Sequence, residues 1–90
     1  MKTYTEAEAA EVLSQLPGWE FKDNGIERNY EFKDFTEAFA FMTRLAILSE
    51  RANHHAELFN VYNKVHVRFT THDHGGVTEK DFQLAQELDT

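Results

Sequence analysis

The sequence predicts an α+β fold of two layers, in the order helix, two strands, helix, two strands, helix. Three observations carry this prediction. Two segments alternate apolar and polar residues around turn-forming sequence, as β-hairpins do. Three others repeat apolar residues at helical spacing. In the last strand Val65, Val67, Phe69 and Thr71 face one way and His66, Arg68, Thr70 and His72 the other, so helices are expected to cover only the apolar side of an antiparallel sheet.

Each element has its own local reason. Thr5 followed three residues later by Glu8 has the form of a capping box, and Ala9, Val12, Leu13 and Leu16 keep helical spacing until Pro17-Gly18 ends the first helix. Trp19 and Phe21 flank Glu20, Asp23-Asn24-Gly25 supplies turn chemistry, and Ile26, Arg28, Tyr30 and Phe32 alternate with Glu27, Asn29 and Glu31, which predicts the first hairpin. Residues 34 to about 52 contain no Gly or Pro, and Asp34 with Glu37 can cap the first turn reciprocally, so the longest helix lies here. Its stripe is Phe35, Ala38, Phe39, Met42, Leu45, Ala46 and Ser49; Phe41 and Leu48 widen the apolar arc, either to fill the core or to pack on copies of the helix. The second hairpin follows as 58–62, a two-residue turn at Asn63-Lys64, and a strand from Val65 to about Thr71. After Asp73-His74-Gly75-Gly76, Thr78 caps a last helix carrying Phe82, Leu84, Ala85 and Leu88.

Ninety residues, 41% apolar and 28% charged, suit a single domain spanning 1–90 and leave no room for a second core. A domain this small gains from self-association, so a homo-oligomer, dimer or tetramer, is expected. Sixteen acidic against nine basic residues give a net charge of −7, and the cations are scattered singly, which argues against direct nucleic-acid binding. Without cysteine there is no disulfide, thiolate nucleophile or Cys-rich zinc site. No apolar run approaches the ~18 residues of a membrane span, and the start MKTYTEAEAA is not a signal peptide, so a soluble, cytoplasmic protein is expected.

Five histidines are many for this length, and four fall at element ends: His54-His55 after the long helix, His72 and His74 after the last strand. If the strands between them pair, the residues before the first and after the second lie at the same end, so His54 and His55 approach His72. Imidazoles held on two sides of a small substrate can act as acid and base near neutral pH. Read alone, the His pair suits a solvated surface equally well; His66 suits a cross-strand contact, His74 a loop, and Asp81 a capping partner for Thr78. His72-x-His74 with His54 or His55 could supply three imidazoles to zinc, but no His-x-x-x-His or cysteine supports this, and no metal is expected. Nucleophile-elbow, phosphate-loop and dinucleotide fingerprints are absent, which leaves proton transfer as the chemistry.

The stretch His54-His55-Ala56-Glu57-Leu58-Phe59-Asn60-Val61-Tyr62-Asn63-Lys64-Val65-His66-Val67, with Thr71-His72-Asp73-His74-Gly75-Gly76-Val77-Thr78-Glu79-Lys80-Asp81, resembles the signature of pterin-4a-carbinolamine dehydratases. Gly18-Trp19 and Phe32-Lys33-Asp34-Phe35 extend the likeness over most of the chain. The resemblance implies a four-stranded antiparallel sheet with three helices on one face. It also implies dehydration of 4a-hydroxytetrahydropterin to quinonoid dihydropterin, without a cofactor, in pterin recycling. Carried over by position, His54, His55 and His72 are catalytic and Asp81 belongs to the same site, with Glu57, Thr71 and Trp19 as candidate pocket-lining residues. Two positions depart from the family pattern: Ala56 stands where proline is common and Asn53 where an acidic residue often precedes the pair. Animal relatives also serve as dimerisation cofactors of a homeodomain transcription factor, so a binding module using the long helix, through Phe41 and Leu48, is the alternative.

Overall fold

The computed structural model describes the whole chain, Met1–Thr90. Helix α1 spans Glu6–Leu13, strands β1 and β2 Glu20–Lys22 and Gly25–Glu31, α2 Phe35–Ala52, β3 and β4 Glu57–Val61 and Lys64–Phe69, and α3 Glu79–Leu88. A single 3₁₀ turn, His72–His74, lies between β4 and α3, where the sequence pattern predicted the end of a strand. The four strands form one antiparallel sheet, as the hairpin pattern and the family resemblance both implied, and their order in it is β1-β2-β4-β3.

Local chemistry sets the boundaries. The Thr5 hydroxyl accepts from the Glu8 N–H and the Glu8 carboxylate from the Thr5 N–H, closing the predicted capping box of α1. At α2 only half of the reciprocal cap forms: Asp34 accepts from the Glu37 N–H, while Glu37 reaches one residue further back, to the Lys33 N–H. The first hairpin turns on Asp23 and Asn24, both at positive φ, which these two residue types tolerate. In the second hairpin Val61 pairs with Lys64, so the turn is Tyr62-Asn63, one residue earlier than expected. The reason is tertiary: the Asn63 amide donates to the Phe32 carbonyl and Phe32 N–H to the Asn63 carbonyl, fastening the turn to the end of β2.

Val65, Val67 and Phe69 of β4 are buried beneath Ala9 of α1, Ala38, Leu45 and Leu48 of α2, and Phe82, Leu84, Ala85 and Leu88 of α3, so the helices share one face of the sheet. The buried stripe of α2 is rotated from the sequence expectation. Leu48 is in the core and Phe41 packs on Tyr30 and Phe32, at 4.4 and 5.0 Å between ring centroids, whereas Phe35, Phe39 and Ile47 are exposed. The rings of Tyr30 in β2 and Phe32 just after it pack against Phe41, and Ala38 is fully buried on the same side of the helix. Leu48 is therefore buried and Phe41 partly so, and the large apolar residues that α2 leaves exposed are Phe35, Phe39 and Ile47.

Asp89, just beyond α3, closes the other side of the core. Its carboxylate accepts from Trp19 Nε1 at 2.7 Å, Arg28 Nη1 at 2.8 Å and the Tyr30 hydroxyl at 2.6 Å. Gly18, at φ +90, leaves room for the Arg28 guanidinium, since a Cβ there would lie 2.7 Å from Arg28 Nε. Burial first, then the bond to Asp89, pushes the Tyr30 phenol above its ordinary value of 10.0. A phenol that ionises more readily when unfolded binds more protons in the native state above that value, so its stabilising contribution, complete below pH 10.0, falls as pH rises. Denaturant unfolding between pH 8 and 11 should show this alkaline loss in the wild type and a shallower one in Tyr30→Phe; identical slopes would exclude Tyr30 as its source.

Candidate functional site

The site is built at the end of the sheet where β3 begins and β4 ends. Helix α2 stops at Asn53, whose left-handed φ of 52 turns the chain sharply and sends the next two residues in different directions. Asparagine tolerates this conformation better than most residues, which gives Asn53 a structural purpose at the position where the sequence departs from the family pattern.

His54 is turned inward. Its side chain is 10% exposed, and its Nε2 lies 2.5 Å from Oδ1 of Asp81, a carboxylate with no solvent exposure. The other Asp81 oxygen accepts from the Thr71 hydroxyl and the Thr78 N–H, both at 2.9 Å. The Thr71 hydroxyl has one proton and gives it to Asp81, so Thr78 donates in the 2.7 Å bond between the two threonine hydroxyls. An ionised carboxylate only accepts, so His54 carries a proton on Nε2 and, in the neutral ring, presents the Nδ1 lone pair, which bonds to no protein group. Asp81 thus caps α3 and bonds an imidazole at once, two roles that the sequence reading allowed together.

His72 is 80% exposed and shares with His54 a cleft of about 250 Å³, lined also by Asn53, Thr71, Asp73, His74 and Lys80. Thr71 is bracketed by two backbone hydrogen bonds with Gly76, which close the loop and present the 3₁₀ turn to the cleft. Glu57, at the start of β3, places Oε2 3.7 Å from His72 Nε2.

His55 turns the other way. Its Nε2 lies 2.8 Å from Glu50 Oε1, and it lines a separate cavity of about 380 Å³ between α2 and β3, with Met42, Leu45, Ala46, Ser49, Glu50, Ala56 and Leu58. The structure therefore brings His54, His72, Thr71, Asp81 and Glu57 together and places His55 next door, rather than joining all three rings in one cleft. Trp19 is not at the site. Its ring is buried against Phe69 and bonded to Asp89, eight residues, or about 12 Å, along α3 from Asp81. The expectation that Trp19 lines the pocket came from its position in the family pattern, and a position in sequence does not say which end of α3 the indole reaches. His66 meets Asn29 and Glu27 across the sheet, as its mid-strand position suggested. No group of three or more metal-ligating side chains converges anywhere in the structure.

The family model described as pterin 4 alpha carbinolamine dehydratase matches residues 2–90. The chain belongs to the pterin 4 alpha carbinolamine dehydratase family. Among its relatives, each bearing the name "Putative pterin-4-alpha-carbinolamine dehydratase", the protein of Synechococcus sp. (strain WH7803) is 46% identical over 93% of this chain and 90% of its own length. That of Sinorhizobium medicae (strain WSM419) is 51% identical over 92% and 81%. A crystal structure described as transcriptional coactivator/pterin dehydratase from Brucella melitensis superposes with a TM-score of 0.93 at 42% identity, covering 98% of this chain and 96% of that one. The dehydratase fold and the order of its elements are thus common to both molecules.

Sequence reasoning passed over Glu50, Thr78 and Lys80 at this dehydratase-family site. Only Thr78 carried a signal, as a helix cap; the others reach the site through the reversal at Asn53 and the docking of α3. Leaving a buried donor without its acceptor costs about 1–3 kcal/mol. Asp81→Ala, which strips the acceptor from His54, Thr71 and Thr78 together, should lose that much stability in urea unfolding; a loss under 1 kcal/mol would show that the network is not what holds α3 to the sheet.

Proposed function

We propose that this protein catalyses the dehydration of 4a-hydroxytetrahydropterin to quinonoid dihydropterin and water, with histidines as acid and base. The observation that carries this reading is the Asp81–His54 pair beside His72 in one open cleft, in a chain of this family. The C4a hydroxyl leaves poorly until it is protonated, and N5–H must release its proton as the C=N bond forms, so the reaction needs one donor and one acceptor.

The two imidazoles differ in the way this division requires. His54 has its Nε2–H held by a buried carboxylate, so it is oriented as a base through Nδ1, and Asp81 stabilises the imidazolium formed on accepting the N5 proton. His72, exposed and facing Glu57, is suited to deliver a proton to the departing hydroxyl. His55 with Glu50 lines the adjoining, more apolar cavity, where it contacts the substrate from the other side of the His54-His55 step. Proton transfer by each group is worth about 10²–10⁴ in rate. His54→Gln, which keeps a side-chain donor for Asp81, and His72→Gln should each lower kcat by that range in a 4a-carbinolamine dehydration assay. Turnover unchanged in both folded variants would overturn the mechanism, and no acceleration by the wild type over the spontaneous reaction would overturn the activity.

Self-association is the second part of the reading. Strand β3 is at the sheet edge, with Leu58, Phe59 and Val61 exposed and Tyr62 exposed in the turn after it, and α2 presents Phe35, Phe39 and Ile47. Exposed apolar residues along an unpaired edge favour pairing with another strand, and a second copy of this chain offers the same edge. Sedimentation of the wild type should show a homo-oligomer, and Val61→Lys on the edge should weaken it; a wild type that is monomeric at micromolar concentration would remove this reading.

A further inference from the structure

The strand register places Glu27, Arg68 and Glu57 in one row across β2, β4 and β3, on the sheet face that the helices leave open. Arg68 at its centre is fixed from several directions. Its Nη1 donates to the Lys22 carbonyl at 2.6 Å and to Glu27 at 2.8 Å, and its Nη2 donates to the Asp23 carbonyl at 2.7 Å. The side chain is only 17% exposed. Gly25 is part of this seat, because a Cβ at that position would overlap the guanidinium. What remains is Nε, which faces Glu57 Oε2 at 3.6 Å. That same oxygen is 3.7 Å from His72 Nε2, and Glu57 is the one carboxylate within ion-pair distance of His72.

We propose that Arg68 and Glu57 are positioning residues for His72: the guanidinium, anchored on the first hairpin, holds the Glu57 carboxylate where it orients the imidazole toward the cleft. The inference rests on the acid–base reading of His72 given above. Neither residue touches the reacting atoms. Glu57 is half exposed and His72 mostly so, and a side chain free to rotate in solvent spends little time in one orientation unless something fixed holds it. Arg68 supplies the fixed point, because its own freedom is removed by two backbone carbonyls and Glu27. The remaining groups at the cleft do not replace this hold: His54 is committed to Asp81, and Asp73, His74 and Lys80 make no side-chain ion pair with His72.

The test is a double-mutant cycle in the dehydration assay with full-length protein, using Glu57→Gln, Arg68→Met, their combination, and each in a His72→Gln background. The contacts are partly exposed, so each single change should lower kcat by no more than about fivefold, with KM little altered. The combination should be no slower than Glu57→Gln alone, and neither change should matter once His72 is glutamine. A purely structural role for Arg68 would instead give additive losses and an effect that persists without His72, and that result overturns the proposal. Wild-type kcat in Glu57→Gln, together with a slow His72→Gln, also overturns it while leaving the acid–base reading intact; wild-type kcat in His72→Gln removes the reading beneath it. Glu57→Gln changes a half-exposed position, so the test stands even if Arg68→Met fails to fold.

Discussion

A carboxylate with no access to water must find all its partners within the protein, and Asp81 is such a group. Its two oxygens are met by an imidazole from the chain after α2, a hydroxyl from the end of β4 and the N–H that opens α3. The end of α2, the end of β4 and the start of α3 are therefore fixed relative to one another by one side chain. The placement is also favourable for the helix, whose N-terminal end attracts negative charge. The carboxylate that stabilises the fold here is the one that orients His54, so stability and site geometry share a single interaction.

The other end of α3 shows the opposite electrostatic problem. Asp89 sits at the negative end of the helix, where a carboxylate is unfavourable unless cations and donors surround it. Arg28, Trp19 and Tyr30 meet that need, and Arg44 reaches across from α2 to donate to the Leu88 and Glu87 carbonyls. With both ends fastened to the sheet, α3 is held in register, and the cleft beside its first turn has firm walls. A small domain, with few buried residues to spare, gains order from polar anchors of this kind.

How far the sequence could be read depends on the range of the interactions involved. The Thr5–Glu8 box, the positive-φ turn at Asp23-Asn24 and the alternation along β4 are decided within a few residues, and each is legible. The tyrosine at the second turn is not, because Asn63 takes its partner from Phe32, thirty-one residues away. The rotation of α2 likewise depends on Tyr30 and Phe32 offering rings to Phe41. At the site, the histidine pair and His72 stood out because imidazoles cluster at strand ends. Glu50 and Arg68 did not, since a lone glutamate in a helix or an arginine in a strand reads as solvated surface.

By itself the sequence determined the α+β order and the apolar face of the sheet, because periodicity is a local property of the chain, and its motifs carried the likeness to one family. Only the tertiary structure decided that His54 and His55 part company at Asn53, that Asp81 holds His54, that Trp19 belongs to the opposite end of α3, and that one oxygen of Glu57 lies between Arg68 and His72. These depend on where side chains end after a turn of backbone and the docking of a helix, and those directions are set by packing across the whole molecule.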